Sequence, residues 1–217
     1  MILTRQTMRL YAVTDRKWTG KATLLEQVEA ALSGGTTLVQ LREKDMSDDD
    51  MLREAIEMRR LCHSYGVPLI INDRLNIALA SGADGIHVGQ SDISAGDVRK
   101  RAGSQLILGV SARTPEQARA AELAGADYLG CGAAFGTSTK ADARPISPEQ
   151  MRAVVDAVSI PVVAIGGVNA DNLPQLRGMG LAGAAIVSGI FASDDIKAAC
   201  MDLRALADAV FGDGNIA

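Results

Sequence analysis

Short apolar runs alternate with longer amphipathic segments along the whole chain. The runs are bounded by Gly, Pro, Asn or Asp and have the length of β-strands. They lie at residues 10–13, 38–41, 68–71, 85–88, 106–110, 128–129 with neighbours, 161–165 and 183–187. The segments between and after them carry apolar residues at helical spacing, at residues 23–32, 47–65, 75–81, 95–101, 115–124, 148–158, 171–177 and 194–211. Strands that alternate with helices in this number predict an α/β fold, a single compact (β/α)8 TIM barrel over residues 1–217, with a doubly wound open sheet as the alternative.

Helix starts are marked by local capping signals. Thr114 and Ser147 are each followed by Pro and then by Gln at the third position, which satisfies the free N–H groups of a first turn. The acidic run at residues 48–50 after Ser47 is typical of a helix N-terminus, where negative charge is favourable.

Composition and charge narrow the class of protein. The chain has 22 Lys and Arg against 26 Asp and Glu, a net charge of −4, and only 3% aromatic residues, which argues against a nucleic-acid partner. Its three cysteines form no CxxC pair, so neither structural zinc nor a disulfide framework is expected. No apolar run is long enough to span a membrane, so we expect a cytoplasmic protein with small-molecule partners, and a homo-oligomer is left open.

Polar residues follow each strand from the second onward, where the active site of such a barrel lies. Alternation along the second strand directs Gln40, Arg42 and Lys44 to one side, and Lys140 after the sixth strand reaches the same face. Two or three cations with an amide would suit a polyanionic substrate. The alternative is an ion pair from Arg42 or Lys44 to a carboxylate inside the barrel.

Two carboxylates follow neighbouring strands. Asp73 comes after the third strand and Asp92 after the fourth. Oxygen ligands without a histidine favour Mg²⁺, which uses one or two carboxylates and completes its shell with water and phosphate. The alternative is that each Asp caps a helix.

A second anion site is expected after strands seven and eight. Gly166-Gly167 and Val187-Ser188-Gly189 stand where such barrels hold phosphate with backbone N–H groups, although such pairs also simply make turns. The hydroxyls at residues 137–139 face the same mouth. His87, inside the fourth strand, and Cys131 are predicted to pack in the interior rather than to act as base or nucleophile.

The chain resembles the thiamine-phosphate synthase family over nearly its whole length. The segments that carry the resemblance include QLREK at residues 40–44, HVGQSD at 87–92, TSTK at 137–140 and AIGGV at 164–168, in order. Members join a hydroxymethylpyrimidine diphosphate to a thiazole phosphate and release diphosphate. The resemblance therefore implies a Mg²⁺-dependent transferase.

The resemblance also assigns roles to individual residues. It implies that Arg42, Lys44, Ser111 and Lys140 are catalytic and that Asp73 and Asp92 hold Mg²⁺. The pyrimidine diphosphate would be bound by Gln40, Leu41, Arg42, Glu43, Lys44, Asn72, Ser111 and Lys140. The thiazole phosphate would be bound by Thr137, Ser138, Thr139, Gly167, Val187 and Ser188. A related thiazole tautomerase and a non-catalytic barrel that binds thiamine precursors are the rival interpretations.

Overall fold

Eight parallel strands close into a barrel in the computed structural model, which describes residues 3–20, 22–136 and 145–212. The strands run in chain order around the barrel, and β1 closes it by pairing with β8, with Leu10 opposite Ala184. Their bounds are β1 Leu10–Val13, β2 Leu38–Leu41, β3 Leu69–Asn72, β4 Gly85–Val88, β5 Ile107–Ala112, β6 Tyr128–Gly132, β7 Val162–Ile165 and β8 Gly183–Ile186. The predicted (β/α)8 barrel is confirmed, and the open-sheet alternative is wrong.

Helices connect the strands and cover the outside of the barrel. They are α1 Leu24–Ser33, α2 Asp48–Ser64, α3 Leu75–Ser81, α4 Ala95–Ala102, α5 Pro115–Leu123, α6 Pro148–Asp156, α7 Ser188–Phe191 and α8 Ile196–Phe211. Short 3-10 turns lie at Gln6–Met8, Arg16–Trp18 and Leu173–Leu176. None of the helices in the described ranges is both long and apolar enough to cross a membrane.

The connection after β7 differs from the prediction. The pattern predicted a helix at residues 171–177, but the structure forms only the 3-10 turn Leu173–Leu176, which contains Pro174 near its start. Gly178 and Gly180 follow with φ of 72° and 77°, so the chain turns before an α-helix can propagate. The sequence analysis also missed α7, a single helical turn directly after β8.

The predicted capping signals are confirmed. The Thr114 side chain accepts a hydrogen bond from the backbone N–H of Gln117, and Ser147 forms a complete capping box with Gln150. The acidic run begins α2, where Ser47 accepts from the backbone N–H of Asp50. These local interactions fix where the helices start, and therefore how long each strand-to-helix loop is.

The core has two layers, as alternating side chains in a closed barrel require. The outer layer lies between strands and helices and includes Leu41, Met58 and Leu129. The inner layer lies inside the barrel and comprises Met8, Tyr11, Val13, Leu38, Ile70, Tyr128, Val163, Ala182 and Ala185. Open space remains at the carboxyl ends of the strands, where Val13 and Ala185 of this layer line a cavity.

Candidate active site

A cavity of about 420 Å³ opens at the carboxyl ends of the strands. Its polar and charged lining residues come from β2, β3, β4, β5 and the turn after β8. They are Gln40, Arg42, Asn72, His87, Ser111, Arg113 and Ser188. Glycines and apolar residues complete the wall, chiefly from β6 and from β7 with the loop that follows it. Of the predicted site residues, the structure brings together seven in this cavity: Gln40, Arg42, Asn72, Ser111, Gly167, Val187 and Ser188.

The end of β2 supplies an amide and a cation to the cavity. Gln40 is buried, and its Nε2 donates a hydrogen bond to the hydroxyl of Tyr11 at 2.6 Å. Arg42 lies above it, and its backbone N–H donates to Oγ1 of Thr14 at 2.9 Å. This bond holds the chain just beyond β2, so the Arg42 side chain is directed into the cavity.

Three residues of the same segment take other positions. Leu41 is fully buried in the outer core, and the Glu43 carboxylate accepts a hydrogen bond from Nε of Arg16 at 3.0 Å. Lys44 is exposed, and its carbonyl oxygen accepts from Nη2 of Arg74 at 3.1 Å. The described cavity wall includes none of the three. The strand ends at Leu41, so the alternation that predicted an inward Lys44 does not extend to that residue. The assignment of Leu41, Glu43 and Lys44 to the pyrimidine diphosphate stays a prediction.

Asp73 and Asp92 lie close enough for the charge of Asp92 to affect the pKa of Asp73. Burial, and then the nearby charge of Asp92, raise the pKa of Asp73 to about 6, while the Arg42 guanidinium acts in the opposite direction. Asp73 also has a φ of 61°, an uncommon conformation for a residue other than Gly. The backbone N–H of Asp73 donates a hydrogen bond to the carbonyl of His87 at 2.9 Å, which ties the end of β3 to β4.

The alternative role of these two carboxylates as helix caps is wrong. Residue 74 is the N-cap of α3 and makes no side-chain capping bond, and α4 is capped by Ser94. Asp92 instead accepts a hydrogen bond from the backbone N–H of Gly89 at 2.8 Å. Both acidic side chains are therefore available for a role other than starting a helix.

The donor set fits a hard divalent cation. Burial raises the pKa of Asp73 most, and repulsion from the neighbouring Asp92 carboxylate raises it further, so a bound positive charge would be favourable here. In the described ranges no group of three or more His, Cys, Asp and Glu side chains is gathered as a metal cluster. A pair of carboxylates suits Mg²⁺, which takes its remaining ligands from water and substrate oxygens.

The opposite side of the cavity presents backbone. Gly166 and Gly167 have φ of 95° and 72°, and a side chain at Gly167 would overlap the backbone of Phe135 and Gly136. Helix α7 begins directly after Val187, so its first N–H groups, which have no partner within the helix, lie beside this wall. Thr137, Ser138, Thr139 and Lys140, also assigned to the site, lie outside the described residues.

Sequence reasoning missed two features of the site. Arg113 lines the cavity, and the signal for it was present, because alternation from Ser111 places residue 113 on the same face. The second is the pair Tyr11 and Tyr128, whose hydroxyls meet at 2.8 Å beneath the cavity. No local pattern marks this pair, because the two tyrosines belong to strands that are not neighbours.

The predicted burial of His87 and Cys131 is confirmed, although His87 also lines the cavity. Nδ1 of His87 lies 3.0 Å from the hydroxyl of Tyr128, and Nε2 lies 3.0 Å from Oγ of Ser111. Cys131 is fully buried, and burial raises the pKa of its thiol to about 12. A thiol with that pKa carries almost no thiolate near neutral pH and is a poor nucleophile.

Comparison with known proteins decides the family. A family model described as "Thiamine monophosphate synthase" matches residues 10–190. The chain belongs to this family. It is 53% identical to the thiamine-phosphate synthase of Ruminiclostridium cellulolyticum over 194 residues, which cover 89% of this chain and 92% of the relative. The corresponding enzyme of Clostridium beijerinckii is 49% identical over 195 residues, or 90% of this chain and 93% of the relative.

A solved structure supports the same family assignment. Thiamine phosphate pyrophosphorylase from Pyrococcus furiosus superposes with a TM-score of 0.89 at 36% identity, and the match covers 96% of this chain and 99% of that one. The recognition made from the sequence motifs is therefore confirmed, and so is the assignment to the transferases of the thiamine monophosphate synthase family.

Proposed function

We propose that this chain couples a hydroxymethylpyrimidine diphosphate with a thiazole phosphate to give thiamine phosphate and diphosphate. The observation that carries the proposal is a single cavity with two regions suited to anions. Arg42, Asn72 and Ser111 line one side, and Gly167 and Ser188 line the other. Two phosphorylated substrates would fill the two regions and place their reacting ends between them.

The bond-forming step needs charge stabilisation more than acid–base catalysis. In the proposed reaction the C–O bond to the diphosphate breaks first, and the pyrimidine stabilises the cation that remains. The thiazole nitrogen then donates its electron pair to that carbon, and no proton has to be removed for this bond. Arg42 is placed to stabilise the charge that develops on the leaving diphosphate, an effect worth on the order of 3 kcal/mol per contact.

Asp73 and Asp92 would hold Mg²⁺ at the same side of the cavity. When bound, the ion would supply positive charge to the leaving diphosphate. A bound cation would also offset the repulsion between the two carboxylates. Arg42, which lowers the pKa of Asp73, shares this task from the β2 side.

The rival interpretations fit the cavity less well. A tautomerase needs a base near the substrate carbon, but the ring nitrogens of His87 lie within hydrogen-bond distance of Tyr128 and Ser111. A barrel that only binds thiamine precursors has no need of an Asp73–Asp92 pair. Both observations favour coupling.

The test is coupling by the purified protein. The protein is incubated with both substrates and Mg²⁺, with and without EDTA, and thiamine phosphate is detected as fluorescent thiochrome. We expect product only when both substrates and the metal are present. Absence of product, with thiazole phosphate still binding in calorimetry, would favour the tautomerase or the binding barrel. A cytoplasmic location and a homo-oligomer stay predictions.

A further inference from the structure

A continuous chain of hydrogen bonds crosses the floor of the cavity. It joins five residues from five strands, and we call these residues the polar chain: Gln40, Tyr11, Tyr128, His87 and Ser111. Its donor–acceptor distances are 2.6 Å from Gln40 Nε2 to the Tyr11 hydroxyl, 2.8 Å between the tyrosine hydroxyls, 3.0 Å from Tyr128 to Nδ1 of His87 and 3.0 Å from Nε2 of His87 to Ser111. Both ends of the chain, Gln40 and Ser111, line the cavity, whereas both tyrosines lie beneath it.

The barrel makes room for the middle of this chain. Tyr11 is 1% exposed and Tyr128 is fully buried, and burial raises the pKa of both phenols, so each keeps its proton. A Cβ at Gly130 would lie 3.2 Å from Cε1 of His87, and a Cβ at Gly109 would overlap the phenol of Tyr128. Glycine at these two positions lets the polar groups meet in an otherwise apolar interior.

With Nε2 of Gln40 as the donor to Tyr11, one order of the remaining protons gives both tyrosine hydroxyls an acceptor. The Tyr11 oxygen accepts from the amide of Gln40, so its own hydrogen is directed to Tyr128. Tyr128 then directs its hydrogen to Nδ1 of His87. An accepting Nδ1 places the imidazole proton on Nε2, which donates to Oγ of Ser111. The Ser111 hydrogen is then directed into the cavity, and the Gln40 amide presents its carbonyl oxygen there.

We propose that Tyr11, Tyr128 and His87 are positioning residues that fix Ser111 as a hydrogen-bond donor and Gln40 as an acceptor toward the substrate. A ring with a nitrogen lone pair and an adjacent amino group, as in an aminopyrimidine, matches that pattern. A ring with the donor and acceptor exchanged leaves both protein groups unsatisfied. The proposal rests on the proposed function for the identity of the substrate, but not for the proton order.

The test is Tyr128→Phe, which removes the central hydroxyl and keeps the ring. The chain has only two histidines, so ¹⁵N-histidine NMR resolves both imidazoles, and His63→Gln assigns them. We expect His87 of the unsubstituted protein to be a fixed Nε2–H tautomer and the variant to lose this preference. The KM for the pyrimidine diphosphate should rise about tenfold, the effect of one or two neutral hydrogen bonds, while the KM for the thiazole phosphate stays unchanged.

Two further variants keep the result interpretable. Tyr65→Phe removes a surface hydroxyl that is hydrogen-bonded to Ser33 at 3.1 Å. It should change neither the His87 tautomer nor the KM for the pyrimidine diphosphate. Tyr11→Phe breaks the same chain one link further on and should repeat the effect of Tyr128→Phe if that variant folds poorly. An Nδ1–H tautomer in the unsubstituted protein overturns the proposal. The proposal is also overturned if the KM for the pyrimidine diphosphate is unchanged in both variants, or if the KM values for both substrates rise equally. Failure of the unsubstituted protein to couple would instead refute the proposed function, because the tautomer is read without substrate.

Discussion

Gly109 on β5 lies directly against the phenol of Tyr128 on β6, its partner in the strand register. A Cβ at position 109 would overlap Cζ and the hydroxyl oxygen of that ring. The ring is fully buried and hydrogen-bonded at its tip to Tyr11 and His87, so it cannot move aside without breaking the polar chain. Glycine at position 109 therefore leaves the space in which the Tyr128 ring reaches its hydrogen-bond partners.

Gly109→Ala is accordingly expected to destabilise the fold. Overpacking of a filled interior costs about 1–3 kcal/mol, and urea denaturation should show that loss in the free energy of unfolding. Gly96→Ala is the matched control, since Gly96 lies in α4 with nothing within 4 Å of the added Cβ. That control should be neutral or stabilising by about 0.5–1 kcal/mol. If the two variants were equally stable, the Tyr128 ring would be able to move aside for the added methyl group, and the argument from overpacking would be wrong.

Asp73→Asn and Asp92→Asn should each lower coupling by about a hundredfold or more, since each removes one proposed Mg²⁺ ligand and its charge. Asn tolerates the φ of 61° at position 73, so the loop should keep its shape. Calorimetry with thiazole phosphate should give unchanged affinity. Asp49→Asn, an exposed carboxylate in the first turn of α2, is the control and should retain full activity. Joint loss of coupling and thiazole binding would point to a structural role for the pair.

Arg16→Gln should destabilise the fold, because it leaves a buried carboxylate without its charged partner. Arg16 is bonded to Glu43 at 3.0 Å and to Glu54 at 2.6 Å, and the Glu43 side chain is only 6% exposed. Loss of the partner of a buried acceptor costs about 1–3 kcal/mol, measured by chemical denaturation. Arg53→Gln, which breaks an exposed pair with Asp50, should cost less than about 0.5 kcal/mol.

The cost of Arg16→Gln should depend on pH in a defined direction. Burial raises the pKa of Glu43, and the hydrogen bond and charge of Arg16 oppose this rise. Removal of Arg16 should therefore raise the pKa of Glu43 further. The folded state then binds a proton more readily than the unfolded state, so stability falls as pH rises through this range. The difference between the variant and the unsubstituted protein should shrink as the pH is lowered from neutral toward the pKa of Glu43. A difference that grows on acidification would contradict this assignment.

The thiols should be unreactive in the folded protein. Cys62, Cys131 and Cys200 are fully buried, and burial raises the pKa of their thiols to about 12, 12 and 11. A disulfide reagent at mildly alkaline pH should label none of them at a rate comparable with a free thiol, and all three should react in urea. Ser104→Cys places a thiol at an exposed position and provides the positive control. Fast labelling of the unsubstituted protein would show that its core opens locally.

Much of the fold could be predicted because its signals are local. The apolar runs and the helical spacing between them correspond to all eight strands and to most helices, and Thr114 and Ser147 mark their helices by contacts within one turn. The 3-10 turn at Leu173–Leu176 and the single turn of α7 escaped prediction, since segments that short carry too little periodicity.

The residues of the candidate site were predicted better than their arrangement. By itself, the sequence determined the order of strands and helices, the polar residues at the strand ends and the family motifs. Only the tertiary structure decided that Lys44 leaves the cavity, that Arg113 lines it and that Asp73 faces Asp92 instead of capping a helix. It also brought Tyr11 against Tyr128, residues 117 positions apart. The physical reason is that alternation and capping depend on neighbours in sequence, whereas contacts across the interior depend on how a closed barrel brings distant strands together.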